Sequence, residues 1–231
     1  MQPETKQLWQ NTEGALNPDA ARDFKKTLEN NLAECTWKPH SLYSVFTQYD
    51  QEFYLANEEA FQHKYRYFYA VSKTIAPKSI IELGTCAGAS ADAYLSAVPD
   101  ASFIGLDVFG VNLRKDNGLE WDPYKIAEEL LYARGFKDWK LVRGDLRLLK
   151  ELPGLAELVV VDAAHDFENE YADLQLALTA NPSFIFVDDS DDENGAKPAI
   201  EKFLAEDLKE RVAYTVSVPY IGGGLVIKLA K

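Results

Sequence analysis

The sequence predicts an α/β protein with a doubly wound, mostly parallel sheet of seven strands, a C-terminal antiparallel hairpin and a helical N-terminal cap. Short apolar runs alternate with helical patterns from about residue 78 onward. Strands of a parallel sheet are covered on both faces by helices, so they appear as continuous apolar runs. Before that point the patterns are helical. After residue 210, two strand patterns flank a turn with three consecutive glycines, which is typical of a hairpin.

The first predicted helix begins at Asn17-Pro18-Asp19 and runs to about Glu34. Asparagine is a favoured N-cap residue, proline is favoured at the first helical position, and an acidic residue suits the first turn. These three residues together indicate the start of a helix.

A second helix is predicted over residues 57–75, and Pro77 is expected to end it. Four aromatic positions recur at three- and four-residue spacing and give one buried stripe; they are Phe61, Tyr65, Phe68 and Tyr69. Lys64 and Arg66 fall outside this stripe and are expected on the solvated edge of the helix.

The later elements alternate as strand and helix. Five strands are predicted, at Ser79–Leu83, Ser102–Asp107, Trp139–Val142, Leu158–Val161 and Phe184–Val187. Helices are expected to start near Ser90, Pro123, Asn169 and Asn194. Arg211–Val218 and Leu225–Leu229 form the terminal hairpin.

The chain has 231 residues, which suits a single domain with its own core. We expect one domain over residues 1–231, with a helical cap over 1–55 and a Rossmann-like core over 56–231. The cap is expected to shape the substrate pocket or the interface of a homodimer.

The chain is acidic, with 37 Asp and Glu against 24 Lys and Arg and a formal net charge of −13. Such a surface repels phosphate backbones and anionic lipids, so neither nucleic acid nor a membrane is expected as a partner. Two cysteines give no disulfide framework, which favours a reducing compartment. The polar N-terminus lacks the apolar core of a signal peptide. We expect a soluble, cytoplasmic protein.

In open α/β sheets, ligands bind beyond the carboxyl ends of the strands. Gly84 and Gly88 follow the first strand and allow a tight turn with close approach to a ligand. Cys86 occupies the place of the second glycine of the dinucleotide motif, which makes NAD or FAD less favoured. Taken alone, this spacing indicates only a strand-to-helix turn.

Asp107 ends the next predicted strand. A carboxylate there can accept hydrogen bonds from the two hydroxyls of a ribose, although a loop or N-cap aspartate is the simpler interpretation. The glycine turn and Asp107 together favour a nucleoside cofactor without identifying it.

Three segments carry a resemblance to a known family. Residues 82–90, Glu-Leu-Gly-Thr-Cys-Ala-Gly-Ala-Ser, resemble motif I of class I S-adenosylmethionine (SAM)-dependent methyltransferases. Residues 159–168 and 186–189 resemble two further signatures of the catechol-type O-methyltransferase branch, also called methyltransferase family 24. The three segments occur in the family's order, and the resemblance spans roughly residues 60–230.

The resemblance implies a set of cofactor contacts. Glu82 and the turn from Gly84 to Gly88 would hold the methionine part of SAM, Asp107 the ribose, and Asp145 the adenine amino group. Ser90 is a further candidate, for the carboxylate of SAM, and a plain helix-capping serine is the alternative for it.

Three aspartates are expected to meet at the ends of neighbouring strands: Asp162, Asp188 and Asp189. Three carboxylates together are costly unless a cation compensates them or some are protonated. Oxygen ligands suit Mg²⁺, and metal-dependent relatives carry matching acids. The alternative is that Asp189 is a solvated loop acid.

His165 follows Asp162 closely; the two are the candidate catalytic residues, with His165 as the general base. A loop histidine that only orients Asp162 is the alternative. The Asp-x-x-His spacing differs from the catechol enzymes, which use a nearby lysine, and is similar to that of sugar-modifying relatives.

The substrate side is expected to involve residues 108–121, as a lid over the strand ends. Aromatic residues in segments that could overhang the cavity are Phe53, Tyr54, Phe109, Trp121, Tyr124 and Tyr220. They could stack on a substrate, although core packing is the more common role of such residues.

The sequence thus predicts a SAM-dependent methyltransferase that modifies a hydroxyl of a small molecule with the assistance of Mg²⁺ and a histidine base, by analogy in natural-product or sugar metabolism. The alternatives are a metal-independent N- or C-methyltransferase of the same fold, a non-catalytic nucleoside-binding protein and, less favoured, a nicotinamide dehydrogenase.

Overall fold

A computed structural model describes residues 17–39, 56–110, 112–113 and 120–230, with backbone only for 112–113 and 120–121. The helices are α1 (Pro18–Ala33), α2 (Glu58–Ile75), α3 (Ala89–Ala97), α4 (Pro123–Arg134), α5 (Phe167–Leu178) and α6 (Ala196–Glu206). The strands are β1 (Ser79–Leu83), β2 (Ser102–Asp107), β3 (Asn112–Leu113), β4 (Glu120–Trp121), β5 (Trp139–Arg143), β6 (Leu158–Val161), β7 (Phe184–Asp188), β8 (Val212–Val218) and β9 (Gly224–Leu229). The predicted elements are therefore present within a few residues of their expected bounds.

Seven strands form one sheet in the order β5-β2-β1-β6-β7-β9-β8, while β3 and β4 pair separately. The pairings from β5 to β7 are parallel, and β9 is antiparallel to both β7 and β8. This confirms the predicted fold class. The last strand, β9, lies inside the sheet between β7 and β8, and β8 forms the edge. This order agrees with the burial of the two strands, since β9 is almost wholly buried whereas β8 keeps partly exposed positions.

Helices cover both faces of the sheet. One core cluster packs α1 to α4 against the first face, and a second packs α5 and α6 against the other. The β6 residues are all buried, as expected for a strand that lies between two helical layers.

The register aligns the carboxyl ends of the central strands. Leu83 at the end of β1 pairs with Leu106 on one side and with Val161 on the other. Val161 in turn pairs with Val187. The next residue of each strand therefore falls at the same edge, so the polar residues that follow the apolar runs are delivered to one side of the sheet.

The described part of the N-terminal cap packs into the main core. Phe24 and Leu28 of α1 are buried, and the Phe24 ring lies 5.9 Å from that of Tyr214 on β8. The Asn17 backbone N–H donates to the Ala213 carbonyl at 3.1 Å, and the Asn17 side chain caps α1 as predicted. The division at residue 55 remains a prediction, because residues 40–55 lie outside the described residues.

Two basic residues of α2 do not lie on a solvated edge, so that expectation was wrong. Lys64 is only 8% exposed. Arg66 is half-buried and donates to the carbonyls of Leu32, in the last turn of α1, and of Cys35, just beyond its end. The reason is that α2 packs against α1 and α3 and, through Phe68 on Phe186 of β7, against the sheet, so it has more than one buried face.

Within the described ranges, no helix has both the length and the apolar character needed to span a membrane.

Leu28→Ala should lower the free energy of unfolding by about 3 kcal/mol, because a fully buried leucine would leave a cavity between α1 and the rest of the core. Urea denaturation of the two proteins measures this difference. Lys26→Ala, on the exposed face of the same helix, is the matched control and should change stability by less than about 0.5 kcal/mol. Equal stability of Leu28→Ala and the wild type would mean that α1 is not part of the cooperative core.

Candidate functional site

The turn after β1 has a backbone that only glycine can supply at its first position. Gly84 has φ +93°, and a Cβ there would lie 2.0 Å from the Asp162 carbonyl oxygen. Cys86 also has a positive φ of 47°, and Gly88 precedes α3 in a left-handed conformation. The turn is therefore held tightly against the end of β6, and its strained backbone lies at the carboxyl edge of the sheet.

Asp107 organises this turn from the end of β2. Its Oδ2 accepts from the Cys86 backbone N–H at 2.9 Å, and its Oδ1 accepts from the Phe109 N–H at 2.6 Å. Each oxygen keeps a further lone pair for a ligand. The carboxylate is thus fixed in orientation, which suits the predicted binding of ribose hydroxyls.

Asp145 follows β5 and pairs with Arg147. Its Oδ1 accepts from the Arg147 Nε at 2.8 Å and its Oδ2 from the Nη2 at 2.6 Å. This hydrogen bonding lowers the pKa of Asp145. Asp145 and Arg147 both line the cavity described below, and the contact of Asp145 with an adenine remains a prediction.

Glu82 is wholly buried below the turn. Burial raises its pKa to about 8, and the hydroxyls of Ser90 and Thr85 offset only part of that rise. Neither of its oxygens has a partner in good hydrogen-bond geometry among the described residues. Glu82 is therefore expected to hold a proton near neutral pH. Ser90 is also buried, beside Glu82.

An ion pair lies at the end of β7. The Lys64 ammonium contacts Asp188 Oδ2 and lies 3.7 Å from Asp189 Oδ1. The Tyr220 hydroxyl donates to Asp188 Oδ1 at 2.7 Å. Burial alone would lower the pKa of Lys64, but the carboxylates of Asp188, Asp162 and Asp189 outweigh it and raise that pKa. The lysine is therefore a permanent positive charge in a buried position.

Asp162, His165 and Asp189 form a second group at this edge. One ligand atom of each lies within 4.8 Å of the others, and His165 Nδ1 is 3.8 Å from Asp189 Oδ2. Burial and the neighbouring Asp188 raise the pKa of Asp162 and also that of Asp189.

Asp189 is held in an unusual backbone conformation. It has φ +47°, and a Cβ at Gly222 would lie 2.0 Å from its Oδ1. Gly222 therefore lets the chain approach this carboxylate closely, while a Cβ at Gly223 would meet the Asp191 carboxylate and one at Gly224 the Tyr220 hydroxyl.

These groups surround one cavity of about 570 Å³, a size typical of small-molecule sites. Five aspartates line it, with Lys64 and Arg147 as cations. The predicted site residues among its lining are Gly84, Asp107, Asp145, Asp162, His165 and Asp189. A cavity with this excess of carboxylates favours a cationic ligand.

Four predicted site residues do not line this cavity: Glu82, Gly88, Ser90 and Asp188. Asp188 contacts Lys64, which does line the cavity. Glu82 lies below the Gly84 turn. Their predicted roles as direct contacts remain predictions.

Sequence reasoning missed Lys64 as a site residue. Helix α2 runs back along the sheet before β1, so its first turns lie over the carboxyl ends of the strands. The signal was therefore available: three converging carboxylates need a cation, and the early residues of α2 could supply one.

The predicted substrate residues are only partly described. Phe53, Tyr54, most of the loop over residues 108–121 and the side chain of Trp121 lie outside the described residues. Phe109 is buried and packs edge-on against Tyr124 at 5.1 Å, which is a core contact. Tyr220 holds Asp188.

A divalent ion fits the three predicted aspartates poorly in this arrangement. Lys64 and Tyr220 already engage both oxygens of Asp188. An ammonium beside Asp189 also opposes a second cation. The set that remains, Asp162 with His165 and Asp189, offers two carboxylates, as many as Mg²⁺ commonly takes from a protein. The ammonium of Lys64 is therefore the feature that opposes the ion.

No protein-family profile and no curated sequence relative matches this chain. Solved structures are similar along most of its length. An SAH-bound methyltransferase of Podospora anserina superposes with a TM-score of 0.57 at 18% identity, over 93% of this chain and 97% of that one. An O-methyltransferase of Streptomyces achromogenes, involved in tomaymycin synthesis and in complex with SAM, gives 0.58 at 15% identity, over 91% and 99%. An O-methyltransferase of Bacillus cereus in complex with SAH gives 0.53 at 15% identity, over 90% and 100%. The chain therefore has the fold of these methyltransferases, as the motif resemblance implied.

Glu82→Gln should flatten the dependence of stability on pH. The pKa of Glu82 rises from 4.5 to about 8 on folding, so the folded chain binds a proton that the unfolded chain releases. Stability from this group is complete below pH 4.5 and is lost as the pH rises towards 8. Removal of the group should reduce the slope by up to about 1.4 kcal/mol per pH unit.

Urea denaturation between pH 5 and 8 measures this slope. The buried acids Glu170 and Asp173, whose pKa values burial raises to about 9 and about 7, should leave a residual slope of the same sign. Glu129→Gln changes an exposed carboxyl and should leave the slope unchanged. A wild-type slope in Glu82→Gln would mean that Glu82 is ionised in the folded protein.

Proposed function

We propose that this chain is a SAM-dependent methyltransferase that transfers a methyl group to a hydroxyl of a small molecule. The observation that carries the proposal is the single cavity at the carboxyl edge of the sheet, which joins the Gly84 turn, Asp107 and Asp162. The excess of carboxylates in the cavity suits a sulfonium. The chain has the fold of methyltransferases solved with SAM or SAH.

The cofactor half of the cavity is assigned to the ends of β1, β2 and β5. Asp107 has free lone pairs for a ribose, and the Gly84 turn lets a ligand approach backbone. Asp145 is assigned to the adenine amino group. Glu82 is a neutral buried acid below the turn, and we assign it the role of supporting the turn. When bound, SAM supplies an electrophilic methyl group.

The acceptor half is assigned to the ends of β6 and β7. The His165 side chain is 54% exposed and lines the cavity, so it can meet a bound hydroxyl. Asp189, 3.8 Å away, can orient the imidazole and stabilise it once it is protonated. His165 is therefore the proposed general base, and alignment of the acceptor supplies much of the remaining rate enhancement.

A magnesium-assisted reaction is the second candidate. The observation that favours it is the group Asp162, His165 and Asp189, whose ligand atoms lie close together. Loss of turnover on treatment with EDTA, restored by Mg²⁺, would select this candidate. Turnover unchanged by EDTA would select the metal-independent reaction.

We propose a cytoplasmic enzyme of small-molecule metabolism. Both cysteines, Cys35 and Cys86, are free thiols, and burial raises the pKa of Cys86 to about 12, so it is a poor nucleophile. Binding of SAM without methyl transfer to any acceptor would instead favour a nucleoside-binding protein.

Asp107→Asn should weaken SAM binding by about tenfold or more, because a charge-assisted pair of hydrogen bonds to the ribose is lost. Isothermal titration calorimetry with SAM and with SAH measures the affinity. Asp100→Asn, an exposed aspartate just before β2 at the opposite edge of the sheet, is the control and should bind as the wild type does. Absence of SAM binding to the wild type at millimolar ligand would remove the proposal.

His165→Gln should reduce methyl transfer by about a hundredfold or more, the usual loss for a general base, and leave the affinity for SAM unchanged. Transfer of radiolabelled methyl from SAM to a panel of small hydroxylated acceptors measures the rate. His63→Gln changes an exposed histidine on α2 and serves as the control. Full activity in His165→Gln would assign the base role elsewhere.

A further inference from the structure

The ammonium of Lys64 is surrounded by carboxylates and aromatic rings that hold it at the cavity. Its ammonium contacts Asp188 and lies 3.7 Å from Asp189 Oδ1. It also lies 5.5 Å from the centre of the Phe68 ring and 5.9 Å from that of Tyr220. The side chain lines the cavity, so the charge is both held in place and open to a ligand.

Lys64 lies beside the aspartates for which the sequence predicted a metal ion. Asp162, Asp188 and Asp189 require a compensating cation, and Lys64 supplies positive charge within contact distance of two of them. Asp188 accepts from Tyr220 on its other oxygen. A divalent ion bound to these carboxylates would approach an ammonium closely, and like charges repel strongly in a partly buried site.

We propose that the ammonium of Lys64 takes the place of a divalent metal at the acceptor end of the cavity, and that methyl transfer here requires no metal. This inference rests on the proposed function and adds a residue to it. Lys64 donates to the acceptor oxygen and stabilises the negative charge that develops on it.

The step balances without a further reactant. The acceptor oxygen forms a bond to the methyl carbon as the carbon–sulfur bond breaks, and the electron pair of that bond remains on sulfur. The hydroxyl proton passes to His165. Lys64 keeps its protons throughout, so it acts as a fixed charge and not as an acid or a base.

Removal of the ammonium should expose a cation site. Titration of Mn²⁺ alone, followed by electron paramagnetic resonance of the free ion, measures affinity without any acceptor. We expect no binding above the weak background of an acidic surface in the wild type. We expect affinity at least about tenfold higher in Lys64→Met, where the carboxylates lack their cation.

Two variants serve as controls. Lys73→Met removes an exposed charge from the same helix and should bind Mn²⁺ as the wild type does, which accounts for the general change in net charge. Lys64→Arg keeps the charge and should also show no gain. Calorimetry with SAM on the same samples tests the proposed function separately, and circular dichroism checks folding.

Specific Mn²⁺ binding by the wild type would overturn the inference, and so would equal affinities in Lys64→Met and Lys73→Met. If Lys64→Met does not fold, the wild type and Lys64→Arg decide the matter. In that case tight Mn²⁺ binding by either contradicts the proposal, and background binding by both, with turnover of the wild type unchanged by EDTA, supports it.

Discussion

The register of the central strands is the constraint on which the site depends. Leu83 pairs with both Leu106 and Val161, and Val161 pairs with Val187. Side chains separated by up to about a hundred residues in the sequence are therefore brought to one edge, since parallel strands must end on the same side. The close contact between Gly84 and the end of β6 fixes this edge and leaves room for a ligand above it. The remaining features of the site are consequences of that alignment.

Alignment of this kind concentrates negative charge, and the protein offsets that charge in three ways. Burial keeps a proton on Glu82 and favours one on Asp162. Backbone N–H groups hold Asp107. Lys64, carried by a helix that precedes the sheet in the sequence, pairs with Asp188. An ion pair at this depth gains little net stability after desolvation, which favours a role in the cavity over a role in folding.

The sequence predicted the sheet, the helix starts and the edge at which polar residues gather, because apolar runs, caps and glycine turns are local signals. It did not predict the surroundings of Lys64, since the solvated edge of α2 was inferred from one helical stripe, and α2 has several buried faces. The position of β9 inside the sheet likewise depends on a comparison of burial between two strands of one hairpin. Asp107, Asp145, Asp162, His165 and Asp189 were anticipated by position and do line one cavity, whereas the partners of Asp188 depend on side-chain contacts that no motif encodes.

The most direct test of the central claim is a crystal structure of the full chain grown with saturating SAM or its demethylated product. The account predicts density for the adenosyl group in the cavity, with the ribose at Asp107 and the sulfur on the Asp162 side. Density for the ligand at another surface, or an empty cavity under saturation, would contradict the assignment of this crevice as the methyl-transfer site.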